Sequence, residues 1–255
     1  VLAGLNSTRH QHLDDTGSRV NGINHYTHIL CNPYYTAFFT MPKKDRLTVL
    51  SLLCCGELKY TFNKASYELM LELGLSSKQA AILKSMNLTG DMSCKDIDNI
   101  LKQLFPNPKK QKTNRRIILE ACAIVYYKSL DHAIEHLICD DAPQFNKIAK
   151  YKALCWIHEG RHYKKLNPFI EHHRKILDTF NDRFWDFYTE LLAYKQCPSS
   201  EHAQELLILF DDLFSIKTGY DALDERIAMT LAKKESLLLV LEFPCLPLHN
   251  NNAEL

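Results

Sequence analysis

The feature that most constrains the fold is a short apolar run, Ile134 to Cys139, that ends on the carboxylates Asp140 and Asp141. It predicts a buried strand with acids at its carboxyl end, where open α/β sheets place their chemistry. The same pattern occurs far upstream, in His10 to Thr16, and a third acid, Glu254, follows an asparagine run near the end of the chain. Acids this far apart in sequence form one site only if the fold gathers them.

The remaining periodicity indicates where the other strands and helices lie. Three strand-like segments come first and are joined by short turns, which predicts an antiparallel meander: Arg9–Thr16, Asn24–Cys31 and Tyr34–Met41. A strand at Ile134–Asp141, a crossover and a strand at Lys152–Ile157 predict parallel pairing. The expected fold is α/β, a mixed five-stranded sheet with three antiparallel and two parallel strands and two helical insertions, in which the first and fourth strands lie side by side.

The same pattern divides the chain into five parts. Residues 1–56 form the first part of the core, 57–128 a helical insertion, 129–167 the second part of the core, 168–243 a second helical insertion, and 244–255 the start of a truncated helix. Apolar residues at 3.6-residue spacing predict helices in both insertions.

The composition argues against a membrane-spanning protein. The 255 residues are 46% hydrophobic and 24% charged, with no apolar run near the ~20 residues that span a bilayer and no leader-like start. We therefore expect a cytoplasmic globular protein with no membrane partner. The formal net charge of +1 neither supports nor excludes binding of nucleic acid. The segment from Lys147 to Lys175, however, contains eight Lys or Arg residues and only two acids. That segment predicts contact with phosphates.

Four stretches of the chain resemble the ribonuclease H-like catalytic core of DDE transposases, specifically bacterial insertion-sequence transposases of the insertion-sequence-66 type. They occur in the same order as in that family. They are the first acid in His12-Leu13-Asp14-Asp15-Thr16, the second in Leu137-Ile138-Cys139-Asp140-Asp141-Ala142, the Trp-x-His-x-x-Arg segment in Trp156 to Arg161, and the Asn-Asn-x-x-Glu run that ends at Glu254. The resemblance covers nearly the whole chain and is weakest in the insertion at 57–128.

The resemblance implies a metal-dependent DNA strand cleavage and strand transfer at transposon ends. Asp14, Asp140 and Glu254 would be the catalytic acids and the ligands of two Mg²⁺ ions, with Mn²⁺ as a substitute, and Asp15 and Asp141 would be the alternates of the two aspartates. The residues expected to contact DNA are His158, Arg161, Lys164 and Lys165. The expected partners are transposon ends and target DNA, bound by a homo-oligomer in the bacterial nucleoid.

Two departures from the family pattern keep other interpretations open. The chain ends one residue after Glu254, where the family's helix continues, and it begins without the family's end-recognition segment. We therefore expect a truncated catalytic-core piece, and an inactive piece is one of the open interpretations. The alternatives are a ribonuclease H-like nuclease that hydrolyses without joining, and a decayed, non-catalytic DNA-binding fragment.

Overall fold

The computed structural model describes residues 1–253 and contains a five-stranded mixed sheet surrounded by helices. In chain order the elements are α1 (Leu2–Leu5), β1 (His10–Val20), β2 (Ile23–Asn32), β3 (Tyr35–Met41), α2 (Arg46–Leu53), β4 (Tyr60–Phe62), α3 (Lys64–Glu72), α4 (Ser77–Ser85), β5 (Gly90–Met92), α5 (Cys94–Leu104), α6 (Lys112–Lys128), β6 (His136–Cys139), β7 (Tyr151–Leu154), α7 (Trp156–Lys164), α8 (Glu171–Gln196), α9 (Ser200–Phe214), α10 (Asp221–Leu231), α11 (Lys234–Leu237) and α12 (Leu239–Glu242). Short 3-10 turns cover Pro143–Phe145 and Asn251–Ala253.

The strand order in the main sheet is β3-β2-β1-β6-β7. Strands β1, β2 and β3 pair antiparallel, and β6 pairs parallel with both β1 and β7. The hairpin between β1 and β2 turns at Asn21 and Gly22, both at positive φ, which a two-residue turn of this kind requires. The predicted mixed sheet, with its first and fourth strands adjacent, is confirmed.

Each face of the sheet packs against a different part of the chain. Leu13, Leu30 and Leu137 point into a core shared with α2 and α6 and with the insertion that contains α3, α4 and α5. Ile138 and Ala153 point to the other face and pack on Leu246, in the segment that follows α12. A second core joins α7 to α8, α9 and α10 around Trp156, Tyr163, Phe184 and Phe210.

Two predicted details of secondary structure are wrong. The segment Lys152–Ile157 is not all strand, because β7 ends at Leu154 and Trp156 already begins α7. The insertion at 57–128 is not purely helical, because β4 and β5 pair antiparallel within it. Three-residue strands are too short to give a period in the sequence, and the buried Trp156 suits a strand as well as a helix. The correction places His158 and Arg161 on a helix.

Gly160 allows α7 and α8 to approach closely. A Cβ atom at Gly160 would lie 2.7 Å from Cζ2 of Trp185 and 3.0 Å from Cε1 of Phe184. We expect Gly160→Ala to lower the free energy of unfolding by about 1–3 kcal/mol, because the added methyl overpacks this contact. Urea denaturation measures the change, and Trp185→Phe in the same background should restore part of it. Gly17→Ala is the matched control, since nothing lies within 4 Å of its Cβ position; an equal loss there would contradict the steric explanation.

Candidate functional site

Asp14 lies within β1, and Asp140 follows the last residue of β6, the parallel neighbour of β1. The register pairs His10 with His136 and His12 with Ile138. Extended by two residues beyond its last pair, that register would set Asp14 level with Asp140, and neighbouring strands in a sheet are about 4.8 Å apart. The second acid follows directly on Cys139, the last residue of β6.

Side-chain alternation, extended one residue past the end of β6, predicts a common face of the sheet for the two aspartates. Side chains alternate along a strand, so Asp14 shares the face of His12, and Asp140 shares the face of Ile138. His12 contacts Asn250 and Ile138 packs on Leu246, both in the segment after α12. The predicted acids therefore belong to the face that this C-terminal segment crosses.

The buried thiol of Cys139, the last residue of β6, lies within electrostatic range of the acids. Burial raises its pKa well above the usual value, and the negative charges of Asp140, Asp141 and Asp14 act in the same direction, against an opposing effect from Lys152. Three carboxylates therefore act on one buried atom at the end of β6.

The alternates Asp15 and Asp141 are engaged in other contacts. Asp15 accepts a hydrogen bond from Gln144 Nε2 (2.5 Å) and lies 3.3 Å from Lys44 Nζ, with only 4% of its side chain exposed. Asp141 lies 3.0 Å from Lys152 Nζ and 2.9 Å from Lys233 Nζ. Although burial tends to raise the pKa of Asp141, these two lysines hold it below the usual range. Both alternates are therefore structural ion-pair partners.

Backbone amides fix one oxygen of each candidate acid. The amide of Asp15 donates to Oδ1 of Asp14 at 2.8 Å, and the amide of Ala142 donates to Oδ1 of Asp140 at 3.0 Å. Both residues are half-buried. Amide donors orient a carboxylate.

The segment from Pro244 to Ala253 crosses the sheet from β7 to β2. Leu246 packs on Ile138 and Ala153, and the carbonyl of Leu248 accepts the amide of Trp156 at 2.9 Å. At the far end Ala253 packs on Ile29, the residue of β2 that pairs with Asp14. The described chain thus ends beside the strand pair that carries the first acid.

Asn250 anchors this segment on β1. Its Nδ2 donates to the carbonyl of Leu13 at 3.1 Å, and its Oδ1 lies 3.0 Å from Nδ1 of His12, which must therefore be the protonated nitrogen. Burial lowers the pKa of His12 to about 4, against the effect of the Asn250 contact, so the imidazole is neutral at pH 7. Asn250 is fully buried.

We expect Asn250→Ala to cost about 2–3 kcal/mol of unfolding free energy, since it leaves His12 and the Leu13 carbonyl buried without their partner. The neighbouring Asn251→Ala is the control, because Asn251 is exposed. Urea denaturation measures the cost, and hydrogen exchange should become faster at the amides of Trp156 and Ala253. Equal stability of the two variants would show that the anchor contributes nothing.

The residues predicted to bind DNA separate into two groups. His158 and Lys165 line a cleft of about 430 Å³ together with Asp140, and Arg161 contacts His158, with 3.4 Å between Nη1 and Nε2. Lys164 instead lies over the ring of Trp185, at 5.6 Å from Nζ to the ring centroid. The cleft therefore joins α7 to the second acid, and Lys164 is turned away from it.

Sequence reasoning missed two cations in this cleft, Arg226 and Lys233. Both come from the second helical insertion and contact Glu159 of α7, and Lys233 also contacts Asp141. Nothing in their local sequence indicates that they lie beside the acids. Three cations of the basic segment are also used structurally, because Lys147 pairs with Glu72, Lys152 with Asp141 and Arg174 with Glu171.

The described residues contribute two of the three predicted metal ligands. Asp14 and Asp140 supply hard carboxylate oxygens of the kind that Mg²⁺ prefers. Glu254 lies outside residues 1–253, within which no group of three His, Cys, Asp or Glu side chains is arranged to hold a metal ion. No helix in the same range is long and apolar enough to cross a bilayer.

Comparison with known proteins adds one relative. An uncharacterized protein of Sinorhizobium fredii (strain NBRC 101917 / NGR234), y4jO, is 29% identical over 255 residues, which is 99% of this chain and 78% of that protein. No protein-family model matches the chain, and no solved structure matches it. A functional assignment must therefore come from the chemistry of the residues.

Proposed function

We propose that this chain is a DDE transposase catalytic core with a ribonuclease H-like fold, which cleaves DNA strands and transfers them in a metal-dependent reaction. The observation that carries the proposal is that Asp14 lies on β1 and that Asp140 follows directly on β6, the parallel neighbour of β1. Strand order supports it, because the meander and the parallel pair put the first and fourth core strands together. The resemblance of four sequence stretches to insertion-sequence-66-type transposases supports it as well.

In this proposal Asp14, Asp140 and Glu254 hold two Mg²⁺ ions, which Mn²⁺ replaces. When bound, such ions stabilise the attacking and leaving oxygens of a phosphoryl transfer. Ala253, the last described residue, packs on Ile29, which pairs with Asp14. Clustered carboxylates repel one another, and bound cations offset that cost.

The cleft supplies the contacts to DNA. His158 and Lys165 line it beside Asp140, whereas the charges of Arg226 and Lys233 are neutralised by Glu159 and Asp141. The Arg161 guanidinium is exposed next to His158 and can bind a phosphate in a bidentate manner. These groups would orient the scissile strand, and the chain would act as a homo-oligomer that binds transposon ends and target DNA.

The test uses the full chain with labelled duplexes taken from the DNA that flanks its coding sequence. Joined products that require Mg²⁺ or Mn²⁺ are the expected result. Metal-dependent cleavage without joining would replace the proposal with a ribonuclease H-like nuclease. DNA binding that is indifferent to divalent metal and to Asp14→Ala, with no cleavage, would replace it with a non-catalytic binding fragment.

Calorimetric titration with Mn²⁺ alone tests the metal site without any DNA. We expect binding by the wild-type chain and its loss in Asp14→Asn and Asp140→Asn. Asp15→Asn and Asp141→Asn should still bind, because those carboxylates already have lysine partners. Absence of Mn²⁺ binding in the wild-type chain would count against the two-metal proposal.

A further inference from the structure

A second basic surface lies in the helical insertion. Residues from α8 and from the loop between α9 and α10 line a groove of about 380 Å³, here called the basic groove: His172, Lys175, Ile176, Thr179, Phe180, Arg183, Ile216, Lys217 and Thr218. None of the residues that line it is acidic. The cleft beside Asp140 is lined by a separate set of residues.

Within residues 1–253 no ion pair involves Lys175, Arg183 or Lys217, and all three side chains are exposed. Glu171 pairs with Arg174, and Asp224 accepts hydrogen bonds from the amide and hydroxyl of Thr218 and also attracts Lys217. Arg183 borders a neighbouring pocket that Asp186 and Glu190 line. The basic groove itself has three cations and no acid among its lining residues, and this arrangement favours an anion from outside the chain.

The shape of the basic groove strengthens its field and fixes its length. Ile176, Phe180 and Ile216 give it apolar walls, and low-dielectric walls focus the potential of the charges along them. Lys175 and Arg183 are eight residues apart on one helix, about 12 Å along its axis. A DNA strand carries one phosphate per about 3.4 Å of duplex axis, so the two cations span several phosphates.

One ring contact holds the two sides of the basic groove together. His173 stacks on Tyr220, with ring centroids 4.6 Å apart and an interplanar angle of 16°, which ties the start of α8 to the loop that carries Lys217. Phe169, three residues before His172 in the sequence, exposes 97% of its surface. Exposed aromatic rings and cations together are the combination with which proteins hold nucleic acid.

We propose that the basic groove is a second DNA-binding surface, which holds the phosphate backbone of a duplex segment away from the acids. Lys175, Arg183 and Lys217 make the phosphate contacts. The inference goes beyond the proposed catalysis, because it requires a polyanion but no metal ion and no reaction at Asp14 or Asp140.

The experiment measures binding of a labelled 30-base-pair duplex, by fluorescence anisotropy over a range of salt concentrations, about 50–200 mM. The groove variant carries Lys175→Gln, Arg183→Gln and Lys217→Gln. The matched control carries Lys59→Gln, Lys78→Gln and Lys95→Gln, which removes the same charge from exposed lysines elsewhere. Both variants change only exposed side chains, and thermal unfolding should match the wild-type chain.

We expect the groove variant to bind the duplex about tenfold more weakly and its log K against log [salt] slope to be smaller by about 2.7, since each phosphate contact contributes about 0.9. The control variant should retain most of the affinity and slope. Equal losses of duplex affinity in the two variants would overturn the proposal. A groove variant that no longer binds free tripolyphosphate, yet binds the duplex as tightly as the wild-type chain, would also overturn it. Asp14→Asn should leave duplex binding at this groove intact, so failure of the catalytic proposal is distinguishable from failure of this one.

Discussion

Asp14→Asn and Asp140→Asn should each reduce metal-dependent DNA strand cleavage by about 10³-fold. Each substitution removes a charged oxygen from one of the two acids proposed to hold the metal ions, Asp14 on β1 and Asp140 directly after β6. A loss of about 4 kcal/mol of the transition-state stabilisation that bound metal ions provide corresponds to a cleavage rate about 10³-fold lower. The measurement is a single-turnover rate of strand cleavage at saturating Mn²⁺, with duplex affinity recorded alongside, so that lost chemistry is separated from lost binding.

The neighbouring aspartates provide a stringent control. Asp15→Asn and Asp141→Asn change the same type of residue one position away, yet their carboxylates face Lys44 and Gln144 or Lys152 and Lys233. We expect each of these two variants to lose less than about tenfold in cleavage rate, because Asp15 and Asp141 would affect the reaction only through neighbouring side chains. If these variants lost activity and Asp14→Asn retained it, the assignment within each pair would be reversed.

Glu159→Gln should lower the free energy of unfolding by about 3–5 kcal/mol, the largest stability effect that we expect in this chain. Glu159 is 4% exposed and accepts hydrogen bonds from Arg226 and from the hydroxyl of Thr230, and Lys233 Nζ lies 3.4 Å from its Oε2. Neutralising it leaves the buried Arg226 guanidinium without its counter-charge. Urea denaturation of the wild-type and variant chains measures the loss.

The double variant tests the cause. Arg226→Met in the Glu159→Gln background removes the charge that the first substitution left unpaired, so part of the lost stability should return. The exposed pair of Glu171 and Arg174 is the matched control, and Glu171→Gln there should cost less than about 1 kcal/mol. Strict additivity of the two buried substitutions would show that the ion pair is not the source of the effect.

The Glu159 network also joins the site to the helical insertion. Lys233 contacts both Glu159 of α7 and Asp141 after β6, and Arg226 reaches Glu159 from α10. Arg226 additionally lies over the ring of Tyr163, whose hydroxyl contacts Thr230 at 2.5 Å. Stability and the geometry of the cleft therefore depend on the same side chains.

The main sheet was predictable because its evidence is local. Alternation in Asn24–Cys31, the Asn21-Gly22 turn and the apolar run that ends at Cys139 specify strands and a hairpin without reference to the rest of the chain. A strand, a short crossover and a second strand then require parallel pairing. Where local evidence was weak, as at Trp156 and in the three-residue strands β4 and β5, the prediction failed.

Sequence by itself determined the sheet type and the adjacency of the first and fourth strands. The predicted end of the first strand was wrong, because β1 continues past Asp14 and Asp15 to Val20. Only the tertiary structure showed that distant lysines pair with Asp15 and Asp141, which is the ground for proposing Asp14 and Asp140 as the acids of the site. The tertiary structure also showed that Asn250 anchors the C-terminal segment and that Arg226 and Lys233 line the cleft. It further showed that Lys175, Arg183 and Lys217 line one groove. Contacts between residues far apart in sequence depend on how helices and strands pack, and that packing leaves no period or motif in the chain.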